Sequence, residues 1–288
     1  MSMLLTAKPL ADQSCSVIKN RVREWQLAGT NPSLAVLMVQ GDPASAAYAQ
    51  AKRRFADKLG IRMELLEFGR EVTETRLLGE IRRLNEASDI HGIMLELPLP
   101  EGIRAETLCE AIDPLKDVDG ITPANKLACL TGGPGLLPAT PQSCIRLLRE
   151  NGFGLQGKHV VLVGRGETVG RPLMNMLLRE NATITVCHSH TPDLAVHIKH
   201  ADIVIAAAGR PGLITPEMVH PQLVVIDAGI NEKADGSGIV GDAAHETGRY
   251  VHAISPVPGG VGTLTTAILF ENVLRAVDLL HSTGRLKQ

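Results

Sequence analysis

The stretch HVVLVGRGETVGRPL, residues 159–173, decides how the second half of the chain folds. Its aliphatic start predicts a buried strand, and Gly164, Gly166 and Gly170 lead from that strand into a helical run. Glycines at such a junction permit a tight turn and let a phosphate approach the N–H groups at the helix N-terminus. The stretch therefore predicts a dinucleotide-binding unit. The spacing is one residue longer than the usual fingerprint, so a purely structural turn stays open as an alternative.

The end of the following strand indicates which dinucleotide the glycine turn would bind. That strand ends TVCHSHT, residues 185–191, with Ser189 and no acidic residue before Asp193. NAD-binding units place an acid here for the ribose 2′-hydroxyl, whereas a 2′-phosphate is met by arginine or hydroxyl groups. Arg165, inside the turn, adds a fixed positive charge. The sequence therefore predicts NADP rather than NAD.

Strand-like and helix-like segments alternate along the whole chain, which is typical of parallel sheets covered by helices. We predict an α/β protein of two domains with a cleft between them. The first is an N-terminal three-layer α/β domain, residues 1–138, and the second is a Rossmann-like domain, residues 139–264. The C-terminal helix, residues 265–288, is expected to pack back on the first domain. Predicted strands cover 33–40, 62–68, 92–97, 159–163, 183–188, 202–207 and 222–227, predicted helices 44–59, 73–87, 171–180 and 193–199, and residues 113–141 read as loop-rich.

The amino-acid composition indicates which classes of binding partner to expect. The 288 residues carry a net charge of −2 and no long basic run, so neither a nucleic acid nor a membrane is expected as a partner. Five cysteines without a C-x-x-C pair suggest neither disulfides nor zinc, and His188 and His190 lack a third ligand, so no metal is expected. No leader or membrane span is recognisable, which favours the cytoplasm and a small-molecule substrate.

One carboxylate stands in an otherwise apolar strand, IMLELPLP, residues 93–100. Burying an unpaired carboxylate costs several kcal/mol, so Glu96 needs a partner unless it is a solvated rim group. The helix in GDPASAAYAQAKRRF, residues 41–55, presents Tyr48 and Lys52 on one face, because they are four residues apart. Asp117 and Asp119 follow in the loop PLKDVDGIT, residues 114–122. Glu96 therefore marks a candidate ligand-binding position, since parallel sheets bind ligands at the carboxyl ends of their strands.

Several motifs occur in a fixed order between residues 41 and 266: GDPAS with Y-x-x-x-K, LPLP, KDVDG, P-x-TP, VGR-x-x-x-VGRP, CHS-x-T and PVPGGVG-x-x-T. Together they resemble the bifunctional methylenetetrahydrofolate dehydrogenase/methenyltetrahydrofolate cyclohydrolase family. The resemblance implies oxidation of 5,10-methylenetetrahydrofolate with NADP and hydrolysis of the product to 10-formyltetrahydrofolate. It also implies a cytoplasmic homodimer in one-carbon metabolism, which serves purine biosynthesis among other pathways.

The resemblance also implies a role for each matching position. Lys52 corresponds to the catalytic lysine, Tyr48 to the tyrosine that stacks on the folate ring, and Asp119 to the aspartate that holds the pterin. Further folate-binding positions are Leu97, Pro98, Pro258, Gly259 and Gly260. The implied cofactor-binding positions are Gly164, Arg165, Gly166, Thr168, Val169, Gly170, Ser189, Ile230 and Gly262.

Glu96 departs from the family pattern, in which a glutamine that hydrogen-bonds to the lysine precedes LPLP. The resemblance therefore implies that Glu96 faces Lys52. A carboxylate next to Lys52 favours the ammonium form, and an ammonium is a poorer base than a neutral amine. One hypothesis is that dehydrogenase activity persists while hydrolysis is weakened or has a shifted pH optimum. A rival is that Glu96 itself deprotonates water. A dehydrogenase without hydrolase activity, or a folate- and NADP-binding protein without turnover, are the remaining alternatives. Ala139, Gly166 and the pair Thr263–Leu264 also differ from the family's usual residues.

Overall fold

The structure, a computed structural model, describes residues 2–41, 43–233 and 235–286, with only the backbone described at Pro43 and Ala44. The strands are β1 (Met3–Leu4), β2 (Ser33–Val39), β3 (Arg62–Phe68), β4 (Gly92–Leu95), β5 (His159–Val163), β6 (Thr183–Cys187), β7 (Ile203–Ala206), β8 (Val224–Asp227), β9 (Asn231–Glu232), β10 (Ile239–Val240) and β11 (Ala253–Ile254). The helices are α1 (Lys8–Leu27), α2 (Pro43–Leu59), α3 (Glu74–Glu86), α4 (Ala105–Ala111), α5 (Pro123–Thr131), α6 (Ala139–Glu150), α7 (Gly170–Arg179), α8 (Leu194–Ile198) and α9 (Val261–Ser282).

The chain divides into two compact units, each with its own parallel sheet. The three-stranded unit comprises Gln13–Leu137 and the chain from Ile268 onwards, and the six-stranded unit comprises the chain up to Asp12 and Pro138–Ala267. The predicted α/β class with a Rossmann-like domain is confirmed. No helix in the described part of the chain is long and apolar enough to cross a membrane.

The three-stranded unit is a parallel sheet in the order β3-β2-β4. Every residue of β2 is buried, as expected for a central parallel strand covered by helices on both faces. Helix α3 begins at an N-cap, Thr73, whose Oγ1 accepts a hydrogen bond from Arg76 N at 3.2 Å. From α9, Asn272 Nδ2 donates to the carbonyls of Val118 and Leu137, at 2.8 Å each.

A buried lysine from the loop that follows α4 caps the C-terminus of α3 and anchors that loop. The ammonium of Lys116 donates to the carbonyls of Leu84, Asn85 and Ala87 at 2.9, 2.8 and 2.7 Å. Positive charge is favourable at a helix C-terminus, where carbonyl groups lack helical partners. Burial lowers the pKa of Lys116 to about 8. The KDVDG motif is therefore fixed at its first residue by a structural contact.

The six-stranded unit is a parallel sheet in the order β1-β11-β8-β7-β5-β6. The glycine turn follows β5, which lies between β7 and β6, so three neighbouring strands end at the same edge of the sheet. This is the edge at which parallel α/β sheets bind ligands.

Three differences between the structure and the sequence-based prediction concern the pairing of the first residues, a helix in the predicted loop and the end of a strand. Strand β1 pairs with β11, so the first residues belong with the six-stranded sheet and not with the first domain as predicted. Helix α5 lies inside the stretch predicted to be loop-rich, and its start carries a helix signal, Thr122 as N-cap followed by Pro123. Strand β6 ends at Cys187 and not at residue 188 as predicted, so His188 and His190 both lie in the turn that follows it.

At two glycines of the three-stranded unit, we expect substitution by alanine to change the free energy of unfolding in opposite directions. A Cβ on Gly92, in β4, would lie 2.7 Å from Val118 Cγ1 and 3.2 Å from Leu34 Cδ1, both fully buried side chains. Gly79, on the exposed side of α3, would meet nothing within 4 Å. We expect Gly92→Ala to lower the free energy of unfolding by about 1–3 kcal/mol through overpacking. Gly79→Ala should raise it by about 0.5–1 kcal/mol, because alanine favours a helix.

Urea unfolding of the two variants and the unchanged protein measures both effects. Equal shifts for the two variants would show that the space around Gly92 is not as tight as the geometry indicates.

Candidate active site and nucleotide pocket

The predicted contact between Lys52 and Glu96 is confirmed. Lys52 Nζ donates to Glu96 Oε1, and the two side chains are only 16% and 9% exposed. Glu96 directly follows β4 and its N–H continues the ladder, donating to Leu37 O at 2.9 Å. The solvated rim carboxylate considered as an alternative is therefore wrong. The pair stands at the carboxyl end of the three-stranded sheet. Either charged group alone would be buried there only at a large free-energy cost, and pairing reduces that cost.

Asp119 lies close to this pair because its loop runs beside β4. Ile93 forms an isolated parallel bridge with Asp117, and its N–H donates to Lys116 O at 2.7 Å. Burial first, and then the negative charge of Asp117, raise the pKa of Asp119 to about 6, with Lys52 opposing the rise. Asp119 is partly exposed, so its carboxyl group can meet a ligand.

Asp117, singled out with Asp119 from the sequence, is structural. Its carboxylate accepts hydrogen bonds from Ile121 N, Thr122 N and Asn125 Nδ2, at 3.1, 2.8 and 2.8 Å. It is fully buried and holds the start of α5. The two aspartates of the KDVDG motif thus differ in role, since one organises the loop and the other is presented beside Lys52.

The remaining predicted folate positions of the three-stranded unit are accessible. Tyr48 lies one turn before Lys52 on α2 and is 39% exposed, and partial burial raises its pKa. Leu97 and Pro98 are exposed and follow Glu96 directly, with a cis peptide between them. Ser45 Oγ donates to Leu97 O at 3.4 Å, which ties the first turn of α2 to this segment. The face that surrounds Lys52 therefore offers an aromatic ring, two apolar residues and a carboxyl group.

The glycine turn of the six-stranded unit needs its glycines for steric reasons. Gly164 has φ +120°, and a Cβ there would lie 2.1 Å from Ala207 O. A Cβ on Gly170 would lie 2.4 Å from Gly164 O. Gly166 is different, because a Cβ there would meet nothing within 4 Å and would project into open space. The turn is thus closely packed at both ends and open in its middle, where a phosphate would approach.

A pocket of about 330 Å³ adjoins this turn. It is lined by Val163, Gly164, Arg165, Gly166, Cys187, His188, Ser189, Thr191, Leu194, Ala207, Ala208, Arg210 and Leu213. None of these lining residues is acidic, and neither arginine forms an ion pair with a residue that the structure describes. A glycine turn, an exposed serine and two free guanidinium groups fit a nucleotide that carries an additional phosphate.

The predicted cofactor positions fall into two groups within this unit. Arg165 and Ser189 are exposed and line the pocket, while Thr168 and Val169 lead from the turn into α7. Partial burial, then the positive charges of Arg165 and His190, lower the pKa of His188. Ile230 and Gly262 form the second group, because a Cβ on Gly262 would lie 3.7 Å from Ile230 Cδ1. Both are exposed.

The predicted positions Pro258, Gly259 and Gly260 lie in the turn that precedes α9. Gly259 has φ +104°, and its carbonyl accepts a hydrogen bond from Ala7 N at 2.9 Å. A Cβ on Gly260 would lie 2.5 Å from Pro256 O, so this turn also depends on glycine for close packing.

Sequence reasoning missed two buried aspartates that organise the loops around the pocket. Asp242 accepts from the N–H groups of Ala208, Gly209 and Arg210, at 2.6, 3.0 and 2.8 Å. Asp227 accepts from the N–H groups of residues 229, 242 and 243, at 2.9, 3.0 and 2.8 Å. Burial raises the pKa of Asp227 to about 6 against the opposing effect of these hydrogen bonds. An acid beside glycines, as in DAGIN and VGDAA, was the available signal.

Sequence reasoning also missed Arg210, which lines the pocket from the loop after β7. The segment AAGRPG reads as an ordinary loop, and only the packing of that loop against the glycine turn shows where its arginine lies.

Comparison with known proteins finds two family models along the chain, which meet between residues 119 and 138. Residues 5–119 match the model of the tetrahydrofolate dehydrogenase/cyclohydrolase catalytic domain, and residues 138–281 match that of the NAD(P)-binding domain of the same family. The bifunctional protein FolD of Heliobacterium modesticaldum is 52% identical over 276 residues, which cover 96% of both chains.

Solved structures show the same similarity. The bifunctional enzyme FolD, a methylenetetrahydrofolate dehydrogenase/cyclohydrolase from Campylobacter jejuni, is 36% identical with a TM-score of 0.94, over 97% of this chain and 99% of that one. The Trypanosoma brucei FolD, solved with NADP cofactor and inhibitor, is 33% identical with a TM-score of 0.91, over 96% and 98%. With its fold, its two groups of site residues and both domain models in agreement, this chain belongs to the tetrahydrofolate dehydrogenase/cyclohydrolase family.

Proposed function

We propose that this protein oxidises 5,10-methylenetetrahydrofolate to 5,10-methenyltetrahydrofolate with NADP and hydrolyses the product to 10-formyltetrahydrofolate. The observation that carries the proposal is the buried Lys52–Glu96 pair beside Asp119, in a chain that has both domains of the family. The three-stranded unit, with residues 13–137, would bind folate and supply the hydrolytic groups. The six-stranded unit would hold NADP through its glycine turn, Arg165 and Ser189.

The residues around Lys52 suit the folate in type and exposure. Tyr48 can place its ring on the flat aromatic part of the substrate, and Leu97 and Pro98 supply an apolar edge. Asp119 can accept hydrogen bonds from the amino and ring N–H groups of the pterin. NADP, when bound, accepts the hydride that leaves the methylene carbon. The protein's part in that step is to orient the carbon and to keep water away until the hydride has left.

Hydrolysis requires a proton transfer from water and another to N5, and we assign both to Lys52. Water adds to the cationic methenyl carbon and loses a proton. The bond from that carbon to N5 then breaks as N5 takes up a proton and the new hydroxyl group loses its own to become the formyl oxygen. The carbon stays on N10 as a formyl group, and one proton is released to solvent overall. A neutral Lys52 accepts the proton from water, and the ammonium so formed can protonate N5.

Glu96 sets how readily Lys52 serves as that base. The carboxylate in contact attracts an ammonium group more strongly than a neutral amine, so this attraction opposes the use of Lys52 as a base. Hydride transfer needs no proton from Lys52, so dehydrogenase activity should respond less to a Glu96→Gln substitution than hydrolysis does.

We expect Glu96→Gln to raise the ratio of the hydrolysis rate to the oxidation rate about tenfold at neutral pH. The substitution removes the attraction between Glu96 and Lys52, and a loss of about 1.4 kcal/mol corresponds to a tenfold change in rate. The two rates are measured from methenyl absorbance, its appearance with NADP and its decay after addition of the methenyl compound. An unchanged ratio at every pH would refute the proposed effect of Glu96. Abolished hydrolysis would instead identify Glu96 as the base.

The same assay tests the proposed function as a whole. The unchanged protein should form the methenyl compound with NADP and should accelerate its decay relative to buffer. If the protein forms the methenyl compound but does not accelerate its decay, it is a dehydrogenase without hydrolase activity. If it binds folate but neither forms the methenyl compound nor accelerates its decay, it is a binding protein without turnover.

We also propose that the protein works as a cytoplasmic homodimer in one-carbon metabolism and supplies, among others, purine biosynthesis. The family resemblance supports both points. Sedimentation equilibrium measures the mass in solution, and a species of 30.8 kDa alone would contradict the dimer.

A further inference from the structure

The nucleotide pocket contains a second guanidinium group besides the one in the glycine turn. Arg165 follows β5 and Arg210 follows β7, and these two strands are hydrogen-bonded neighbours. Ser189 and His188 follow β6, the neighbour of β5 on its other side. Three adjacent loops thus bring two cations, a hydroxyl and an imidazole to one pocket.

The loop that carries Arg210 is held tightly against the glycine turn. Ala207 N donates to Val163 O at 2.7 Å, and the Ala207 carbonyl occupies the space that a Cβ on Gly164 would need. The fully buried carboxylate of Asp242 binds three consecutive N–H groups, the last of which is that of Arg210 at 2.8 Å. The backbone at Arg210 is therefore fixed, while its side chain is exposed and lines the pocket.

The positive charges of the pocket are not compensated by acidic side chains in the part of the chain that the structure describes. Neither Arg165 nor Arg210 pairs with an acid within the described ranges, and no acidic side chain lines the pocket. His188 Nδ1 accepts from His190 N at 3.2 Å, so a neutral His188 carries its proton on Nε2 and can also donate. A group with two negative charges and several acceptor oxygens matches such a set of donors better than a single hydroxyl does.

Resting on the proposed function, we propose that Arg210 is a specificity-determining residue, which binds the 2′-phosphate of NADP together with Arg165 and Ser189. One guanidinium compensates one charge, and a 2′-phosphate carries up to two at neutral pH. Arg210 supplies the second positive charge from a loop that Asp242 keeps rigid, so little conformational entropy is lost on binding.

Calorimetric titration with two fragments tests this contact without requiring catalysis. The probes are adenosine 2′,5′-bisphosphate and ADP, of which only the first carries the 2′-phosphate. The variants are Arg210→Gln, Arg210→Lys and the control Arg171→Gln. Arg171 is an exposed arginine on the first turn of α7 that pairs with Glu167 and does not line the pocket.

We expect Arg210→Gln to weaken binding of the 2′,5′-bisphosphate about tenfold and to leave ADP binding unchanged, as for the loss of one charge-assisted contact. Arg210→Lys should recover most of the loss, and Arg171→Gln should affect both probes by less than about twofold, because its charge is paired and outside the pocket.

Two outcomes overturn the proposal: an unchanged preference in Arg210→Gln, or equal weakening of both probes, which would place Arg210 on the adenine or on the shared 5′-phosphates. If the unchanged protein itself shows no preference for the 2′,5′-bisphosphate, the proposed NADP dependence fails and not merely the role of Arg210.

Discussion

Replacing Lys52 by methionine is expected to slow hydrolysis of 5,10-methenyltetrahydrofolate by at least about 100-fold, the usual scale for losing a general acid–base group. Methionine keeps the length and the apolar stem of the side chain but cannot exchange a proton. Dehydrogenase activity should stay within about tenfold of the unchanged protein, because hydride transfer needs no proton from Lys52. The remaining Glu96 carboxylate can even favour the positive charge that develops on the substrate.

Two further variants show whether the loss comes from chemistry or from a damaged site. Lys52→Met leaves a buried, unpaired carboxylate, so the double variant K52M/E96Q removes that charge as well. Lys58→Met removes an exposed lysine from the last turn of the same helix and should change neither rate. If K52M lost both activities equally and K52M/E96Q did not recover oxidation, Lys52 would be a structural or substrate-binding group instead.

The second large effect is expected at the glycine turn. Arg165→Gln should raise the KM for NADP about 30-fold and leave that for NAD nearly unchanged, because a charge-assisted contact to a phosphate is worth about 1.5–3 kcal/mol. Arg165 is exposed, lines the pocket and pairs with no acid among the described residues, so its removal leaves no buried charge behind. The kcat with saturating NADP should therefore be nearly unaffected.

Initial rates with NADP and NAD, measured over a range of salt concentrations, check this expectation. The variant should also show a weaker salt dependence of the KM for NADP, since one ionic contact is missing. Equal increases in the two KM values would place Arg165 on the pyrophosphate, which both cofactors share. The matched control is Arg171→Gln, which changes a paired arginine nearby.

The features that follow from local physics were predictable from the sequence. The apolar strand and glycines of residues 159–173 specify the strand, turn and helix by themselves, and they formed as predicted. The energetic rule that a carboxylate in an apolar strand needs a partner singled out Glu96, and the family resemblance then indicated Lys52 as that partner. The need of this one carboxylate for a partner could therefore be recognised from the sequence.

The features that depend on distant packing were not predictable. Strand β1 has two residues, too few for a pattern, and its place beside β11 depends on a partner about 250 positions away in the sequence. Asp242 and Asp227 look like ordinary turn aspartates, and only the three-dimensional arrangement shows the backbone N–H groups that they bind. Arg210 was hidden for the same reason, since its loop reaches the glycine turn through the pairing of β5 with β7.

The measurement that tests the central claim most directly is a double-mutant cycle on Lys52 and Glu96, with hydrolysis of the methenyl compound as the readout. If Glu96 acts by holding Lys52 as an ammonium, Glu96→Gln should speed hydrolysis about tenfold when Lys52 is present and should have no effect in the K52M background. The same change in both backgrounds, or a loss of hydrolysis in both, would contradict the claim that the two side chains act as one unit.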